Sequence, residues 1–222
     1  MFESFAGAAP VLPRRALSRV YHVGSMEVAS KSETSLEGSG LSVSLHPEEW
    51  RRIAQLGAEP VNALTKETGS FLDARRLTKA QRAAVTAWGV ARGYAEEKAL
   101  YRYHYPEEDD DGDDEVWRYM DFTTEAGRQE QADYDQDSLD EDEVPRTRLE
   151  TVKGYLPTAK LRAATMQAHI DASGVFDLLL TVYGETQTDA DGVWWNERLS
   201  VNALSAPRGV IFNSRLADWK IN

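Results

Sequence analysis

Two short segments place polar side chains on predicted strands, and their residue types suit nucleotide binding. His22 follows Tyr21 in a strand-like segment that ends at Gly24. Ser42 and Ser44 alternate with apolar residues in the next strand-like segment. An imidazole exchanges hydrogen bonds with a ribose hydroxyl or an amide, and serine hydroxyls brace the edge of such a pocket. These residues predict a pocket that holds a nucleotide.

A third segment near the C-terminal end of the chain places carboxylates around an aromatic pair, from Asp191 through Trp194 and Trp195 to Glu197. A tryptophan offers a π-face to a flat ring. A carboxylate stabilises the positive charge that develops on a sugar as its glycosidic bond breaks. We therefore expect Trp194 to contact the nucleotide and Glu197 to support bond cleavage.

The order of these features, an early histidine, then Ser-x-Ser, then a late glutamate, resembles the ADP-ribosyltransferase superfamily. The segment 21–25, Tyr-His-Val-Gly-Ser, is similar to the first family motif, and 40–44, Gly-Leu-Ser-Val-Ser, is similar to the second. Glu197 matches the glutamate of the third motif. The chain departs from the family pattern by combining a histidine with Ser-x-Ser, and by placing Trp195 two residues before the glutamate.

The resemblance implies an NAD-dependent enzyme that transfers ADP-ribose to an unknown macromolecular acceptor or hydrolyses NAD, as a toxin or defence effector would. NAD is then a substrate. The implied catalytic residues are His22 and Glu197, and the implied NAD-binding residues are Tyr21, Gly24, Ser42, Ser44 and Trp194. The implied fold is an α+β fold, in which two small split antiparallel sheets grip NAD and helices flank them.

Each of these residues also has a purely structural interpretation. His22 would then be a hydrogen-bonded core or edge histidine, and Ser42 and Ser44 the solvated face of an amphipathic strand. Adjacent residues of a strand point to opposite faces, so one tryptophan of the 194–195 pair is expected in the core. Glu197 would form a surface ion pair with its neighbour, which contributes little energy.

Residues 105–144 form a strongly acidic insertion. They contain 18 of the 37 acidic residues but only two of the 25 Lys and Arg residues, so the insertion carries about −16 and the rest of the chain about +4. Blocks of like charge repel and stay solvated. The alternative function is therefore an acidic, non-enzymatic binding or inhibitor protein, which mimics nucleic acid or caps a basic partner. We expect no direct nucleic-acid binding by this insertion.

Composition and motifs exclude several common classes. The chain has no cysteine and four histidines, which excludes thiolate metal sites and disfavours zinc. It contains no Gly-x-x-x-x-Gly-Lys, Gly-x-Gly-x-x-Gly, Gly-x-Ser-x-Gly or His-Glu-x-x-His motif. No apolar run reaches the ~18–20 residues that span a bilayer, so we expect a cytoplasmic protein without a membrane partner.

Periodicity predicts an α+β fold in one domain, residues 1–222, with the acidic insertion inside it. Alternation or buried apolar runs predict strands at 17–23, 40–45, 116–122, 175–183, 192–195 and 208–212. Helical spacing predicts helices over 46–56, 78–103 and 158–172. Thr78 is the expected N-cap of the longest helix, and Gly57 the expected end of the first.

Overall fold

Strands and helices both run through the chain, from a long early strand to a short strand at its C-terminal end. The computed structural model describes residues 10–26, 40–53, 55–105, 116–120, 125, 127–129, 148–166, 174–195 and 209–222. Two β-sheets and several helices make up these residues, which confirms the predicted α+β class. Within this part of the chain, none of the helices is long and apolar enough to cross a membrane.

The elements are named here in chain order. The strands are β1 (Arg14–Val23), β2 (Leu41–Val43), β3 (Val61–Asp73), β4 (Ala95–Tyr105), β5 (Val116–Met120), β6 (Arg148–Pro157), β7 (Gly192–Trp194), β8 (Gly209–Ile211) and β9 (Lys220–Ile221). The helices are α1 (Pro47–Ile53), α2 (Lys79–Ala91), α3 (Ala159–Thr165) and α4 (Val175–Gln187). Two 3₁₀ turns cover Ala74–Arg76 and Asn213–Asp218.

The larger sheet has the strand order β1-β3-β7-β8-β2, with β9 also paired to β3. Its β3–β7 pair is parallel, and its other pairs are antiparallel. Tyr21 and Ser44 exchange two backbone hydrogen bonds of 2.9 and 2.8 Å, which bring the last strand of this order back against the first. The sheet therefore curls on itself.

Two apolar clusters lie on the two faces of the curled sheet, as the alternation of side chains along a strand requires. Neighbouring residues of β3, Phe71 and Leu72, belong to different clusters, and so do Val193 and Trp194 of β7. The inner cluster comprises Val20, Leu41, Val43, Leu64, Phe71, Trp194, Ile211 and Trp219. The outer cluster joins the opposite face to α2, α3, α4 and the start of β4.

Helix α4 corrects the strand predicted over 175–183. Eight of its 13 residues are buried, so its sequence has no polar face to reveal a helical period. A continuous apolar run is typical of both a buried strand and a buried helix, and periodicity cannot separate them. The apolar run ends at Tyr183, but the helix continues to Gln187, and 13 residues is a length typical of a helix.

The helix predicted over 78–103 is wrong in its second half. Thr78 caps α2 as expected, and its side chain and that of Gln81 form a reciprocal capping box. The helix ends at Ala91, and Gly93 then adopts a left-handed conformation with φ +72°. The chain continues as β4, which pairs along its length with β6, a strand that the sequence did not predict.

The other predicted elements are recovered with shifted ends. Strands β1, β2, β5, β7 and β8 and helix α1 lie at their predicted positions, and α3 begins after its cap Thr158. The 13-residue strand β3, which pairs with three others, was not predicted. Strand β5 lies between the acidic runs as expected, while the runs at 106–115 and 130–147 lie outside the described residues.

Candidate functional site

The first two predicted segments meet at the corner where β1 and β2 touch. Tyr21 is bridged to Ser44 through the backbone, and His22 Nδ1 lies 2.8 Å from the carbonyl oxygen of Ser42. About twenty residues separate the two strands in sequence, so the curl of the sheet creates this neighbourhood. We call the set Tyr21, His22, Gly24, Ser42 and Ser44 the β1–β2 corner.

His22 is buried at this corner, with 5% of its surface exposed. Its Nδ1 faces the carbonyl oxygen of Ser42 and its Nε2 that of Ser25, each at 2.8 Å. A neutral imidazole carries a single N–H, whereas the protonated ring donates from both nitrogens. Only the protonated ring can therefore donate a hydrogen bond to both carbonyl oxygens.

Gly24 turns the chain directly after His22. Its φ of +113° is open to glycine and strained for other residues, and its N–H donates to the carbonyl oxygen of Pro60 at 2.9 Å. The side-chain amide of Asn62 donates to the Gly24 carbonyl oxygen at 3.0 Å. Asn62 belongs to the unpredicted strand β3, so sequence reasoning had no means to connect it with this turn.

Both serines of the second segment are buried. Ser42 is 8% exposed and Ser44 1% exposed, so their interpretation as a solvated strand face is wrong. The Ser44 hydroxyl accepts a hydrogen bond of 2.9 Å from the backbone N–H of His46, immediately before α1. Helix α1 in turn sets Trp50 edge-on to the His22 ring, with centroids 6.1 Å apart. The corner is thus a closed, hydrogen-bonded junction of β1, β2 and α1.

Trp194 lies in the inner cluster and is fully buried. Its ring packs at right angles to Phe71, with centroids 5.9 Å apart, and the Arg15 guanidinium lies 5.0 Å from its centroid. This position agrees with the expectation that one tryptophan of the pair is in the core, and it leaves no exposed face for a nucleotide ring in this conformation. Glu197 lies outside the described residues.

Asp191 completes the curled sheet between β7 and β9, on the edge of β3. Its carboxylate accepts the Ser70 N–H at 2.7 Å and the Lys66 ammonium at 2.5 Å, and it is 3% exposed. Partial burial opposes the charge on Lys66, but its bonds to Asp191 and its ion pair with Asp218 raise the pKa of that ammonium. The aspartate is thus part of the sheet structure.

A second buried carboxylate lies where β3 ends. Asp73 is 2% exposed, and the Arg75 guanidinium donates to its two oxygens at 2.8 and 2.7 Å. These hydrogen bonds hold the pKa of Asp73 below its usual range, and the nearby charge of Arg15 adds to the effect. A carboxylate held ionised in this way cannot serve as a general acid near neutral pH.

Comparison with known proteins gives no family assignment. No protein-family model matches the chain, and searches of curated proteins and of solved structures found no match. Within the described ranges, no cluster of three or more His, Asp or Glu side chains could hold a metal ion.

Proposed function

We propose that the protein is an NAD-consuming enzyme of the ADP-ribosyltransferase type, with its site at the β1–β2 corner. The observation that carries the proposal is the pairing of the two motif strands, which sets His22 beside Ser42 and Tyr21 beside Ser44. The order of motifs alone does not require this contact. The curl of the sheet supplies it.

The ends of two described strands also lie close together at this corner. Strand β8 is antiparallel to both β2 and β7, so those two strands run in the same direction, and Val43 and Trp194 both face Gly209. The chain leaves β7 at the end of the sheet where β2 continues to Ser44, two strand spacings of ~4.8 Å away. Glu197 is assigned to the site because it matches the third motif of the family that the chain resembles.

The proposed reaction breaks the bond between nicotinamide and ribose C1′. Nicotinamide leaves with the bonding electron pair as a neutral molecule, and the ribose becomes oxocarbenium-like, with positive charge that the Glu197 carboxylate stabilises. Water or an acceptor nucleophile then forms the new bond to C1′ and loses a proton to solvent. His22 binds a ribose hydroxyl through Nε2, which exchanges the Ser25 carbonyl oxygen for the substrate.

Nicotinamide release from NAD tests the proposal directly. We expect Glu197→Gln to lower the rate at least a hundredfold, because removing one preorganised polar group that faces the charge of a transition state lowers kcat about 10²–10³-fold. His22→Asn keeps a hydrogen-bonding group and is expected to raise KM and lower the rate. The matched controls are Glu59→Gln and His46→Asn, which change the same residue types outside the proposed roles.

One result would overturn the enzyme assignment, and another would overturn the location of the site. The first is the absence of nicotinamide release together with no thermal shift by NAD, measured on folded protein with candidate acceptor extracts present. The second is full activity in both folded variants, which would remove the β1–β2 corner and Glu197 from the reaction. Loss of activity in the two variants but not in the controls supports it.

The second candidate is the acidic binding or inhibitor protein. The favouring observation is that β4 and β5, the strands on either side of residues 106–115 in the sequence, pair antiparallel. A basic protein such as cytochrome c is then expected to bind with an affinity that falls steeply with salt. Neutralising the acidic residues of 107–115 to Asn and Gln should abolish this binding. An affinity that does not change with salt concentration contradicts this candidate.

A further inference from the structure

A recess lies at the opposite end of β1 from His22. This cavity of about 470 Å³ is bounded by the residues before β1, the C-terminal end of α4 and the 3₁₀ turn Asn213–Asp218. Arg14, which lines it, precedes His22 by eight residues of strand, or ~26 Å. The volume lies within the range of small-molecule sites.

A tyrosine that borders this cavity has a buried hydroxyl without a partner. Tyr183 of α4 lines the cavity and is 1% exposed, and its hydroxyl makes no hydrogen bond with any described residue. Trp88 packs edge-on against the ring at 5.1 Å, which holds the phenol in place. Burial raises the pKa of Tyr183, so the hydroxyl stays protonated and able to donate. Buried polar groups are normally hydrogen-bonded, so this one calls for a ligand atom or water.

Two guanidinium groups stand at the same cavity. Arg14 Nη2 lies 2.6 Å from the carboxylate of Asp189, whose side chain is 94% exposed. The backbone N–H of Asp189 and the charge of Arg14 lower the pKa of that carboxyl, and Arg215 contributes further. The Arg215 side chain also lines the cavity and makes no hydrogen bond to any residue that the structure describes. An exposed ion pair contributes little, so Asp189 is a replaceable anion.

We infer that this cavity binds a small organic anion, a carboxylate or phosphate monoester attached to an aromatic body. The anionic group takes the place of the Asp189 carboxylate against Arg14 and Arg215. The aromatic body lies on the apolar wall that includes Leu12 and Tyr183, and a small shift of the Tyr183 side chain lets its buried hydroxyl donate to a ligand oxygen. Guanidinium groups suit this role because their planar donors match the oxygens of carboxylate and phosphate.

Ligand-observed ¹⁹F NMR on the full chain tests the inference. The probes are 4-fluorobenzoate, 4-fluorophenyl phosphate and the neutral 4-fluorobenzyl alcohol, with inorganic phosphate as a competitor. We expect saturable binding of an anionic probe and at least tenfold weaker binding of the alcohol. Arg14→Gln, Arg215→Gln and the nearly isosteric Tyr183→Phe should each weaken the anion about tenfold, as loss of a hydrogen bond to a charged group does.

The decisive variant is Asp189→Asn, because it removes the competing carboxylate and should tighten the anion several-fold. Asp218→Asn makes the same charge change elsewhere and should leave the affinity within twofold. Phosphate monoester binding that inorganic phosphate displaces identifies the phosphate source, and benzoate binding alone identifies the carboxylate source. The inference is overturned if no anionic probe binds saturably, if the alcohol binds equally well, or if Asp189→Asn and Tyr183→Phe both leave the affinity unchanged.

Discussion

Replacing Asp191 should destabilise the curled sheet more than any other single carboxylate change near it. The Asp191 carboxylate accepts hydrogen bonds from the backbone N–H of Ser70 in β3 and from the Lys66 ammonium. Its own backbone N–H donates to the Ser70 carbonyl oxygen at 2.6 Å, and its carbonyl oxygen accepts from the Phe212 N–H at 2.9 Å. The residue therefore joins β3 to β7 and to the end of β8 at one point.

The magnitude follows from burial. Asp191→Ala leaves the Ser70 N–H without its acceptor and removes the closer of the two carboxylates that pair with Lys66, at a cost of about 3–4 kcal/mol. Asp191→Asn keeps an acceptor for Ser70 but sets an amide against the ammonium, for about 2 kcal/mol. Lys66 is 25% exposed, so water screens part of the ion pair and keeps the cost from being larger.

Urea denaturation with an unchanged m-value measures these costs. The Tm of Asp191→Ala should be about 10 °C below that of the wild type. Adding Lys66→Met to Asp191→Asn should recover about 1 kcal/mol, since it removes the ammonium that faces the new amide. Asp189→Asn is the matched control, because its carboxylate is 94% exposed and its urea midpoint should match that of the wild type. A wild-type urea midpoint for Asp191→Asn would refute the reasoning.

Two further predictions concern the other polar contacts that hold the elements. Asp73→Asn should cost about 2 kcal/mol of folding stability at pH 7. Because Arg75 lowers the pKa of Asp73 in the folded protein, the stability that this carboxylate contributes is full above the unfolded pKa of 3.8 and should shrink as the pH falls below it. Urea titrations between pH 7 and pH 3 measure this change. A difference from wild type that stays constant over this range would contradict the assignment. Thr78→Ala should lower the folding stability by about 1 kcal/mol, because the capping box with Gln81 is lost. Thr86→Ala, later in α2, should lower it by less. Thermal melts followed by circular dichroism measure both changes.

Elements with a clear local signature were predictable from the sequence. Strand β1 and helix α1 carried alternation or a proline-led first turn, and the structure has them where those signals lie. The cap at Thr78 likewise depends on two nearby side chains. Local chemistry fixes such features, so a single sequence suffices to find them.

Elements defined by tertiary context were not predictable. Strand β3 contains both apolar and charged residues, including Lys66 and Glu67, over its 13 residues. At Lys66 its neighbours are the short strand β9 and the carboxylate of Asp191. Helix α4 has an almost continuous apolar surface because it is enclosed by its neighbours. In both cases the partner elements determine the pattern, and the chain gives no local hint of them.

The candidate site shows the same division between local and tertiary information. The residue types at 21–25 and 40–44 suggested a shared pocket, but the contact between His22 and Ser42 exists only because the sheet curls. The cavity at Arg14 and Tyr183 brings together residues 169 positions apart along the chain. No spacing rule could have found it, and the unpartnered hydroxyl that marks it is visible only after folding.

The two ends of β1 therefore offer different kinds of chemistry. At the His22 end the polar groups are already bonded to backbone carbonyl oxygens, so a ligand must exchange an existing hydrogen bond before it binds. At the Arg14 end the Asp189 carboxylate is 94% exposed, so a ligand can replace it without disturbing the sheet. Ligands should therefore bind more rapidly at the Arg14 end. The His22 end should be more selective, because a ligand stays bound there only if its own hydrogen bonds replace the lost contact with the carbonyl oxygen.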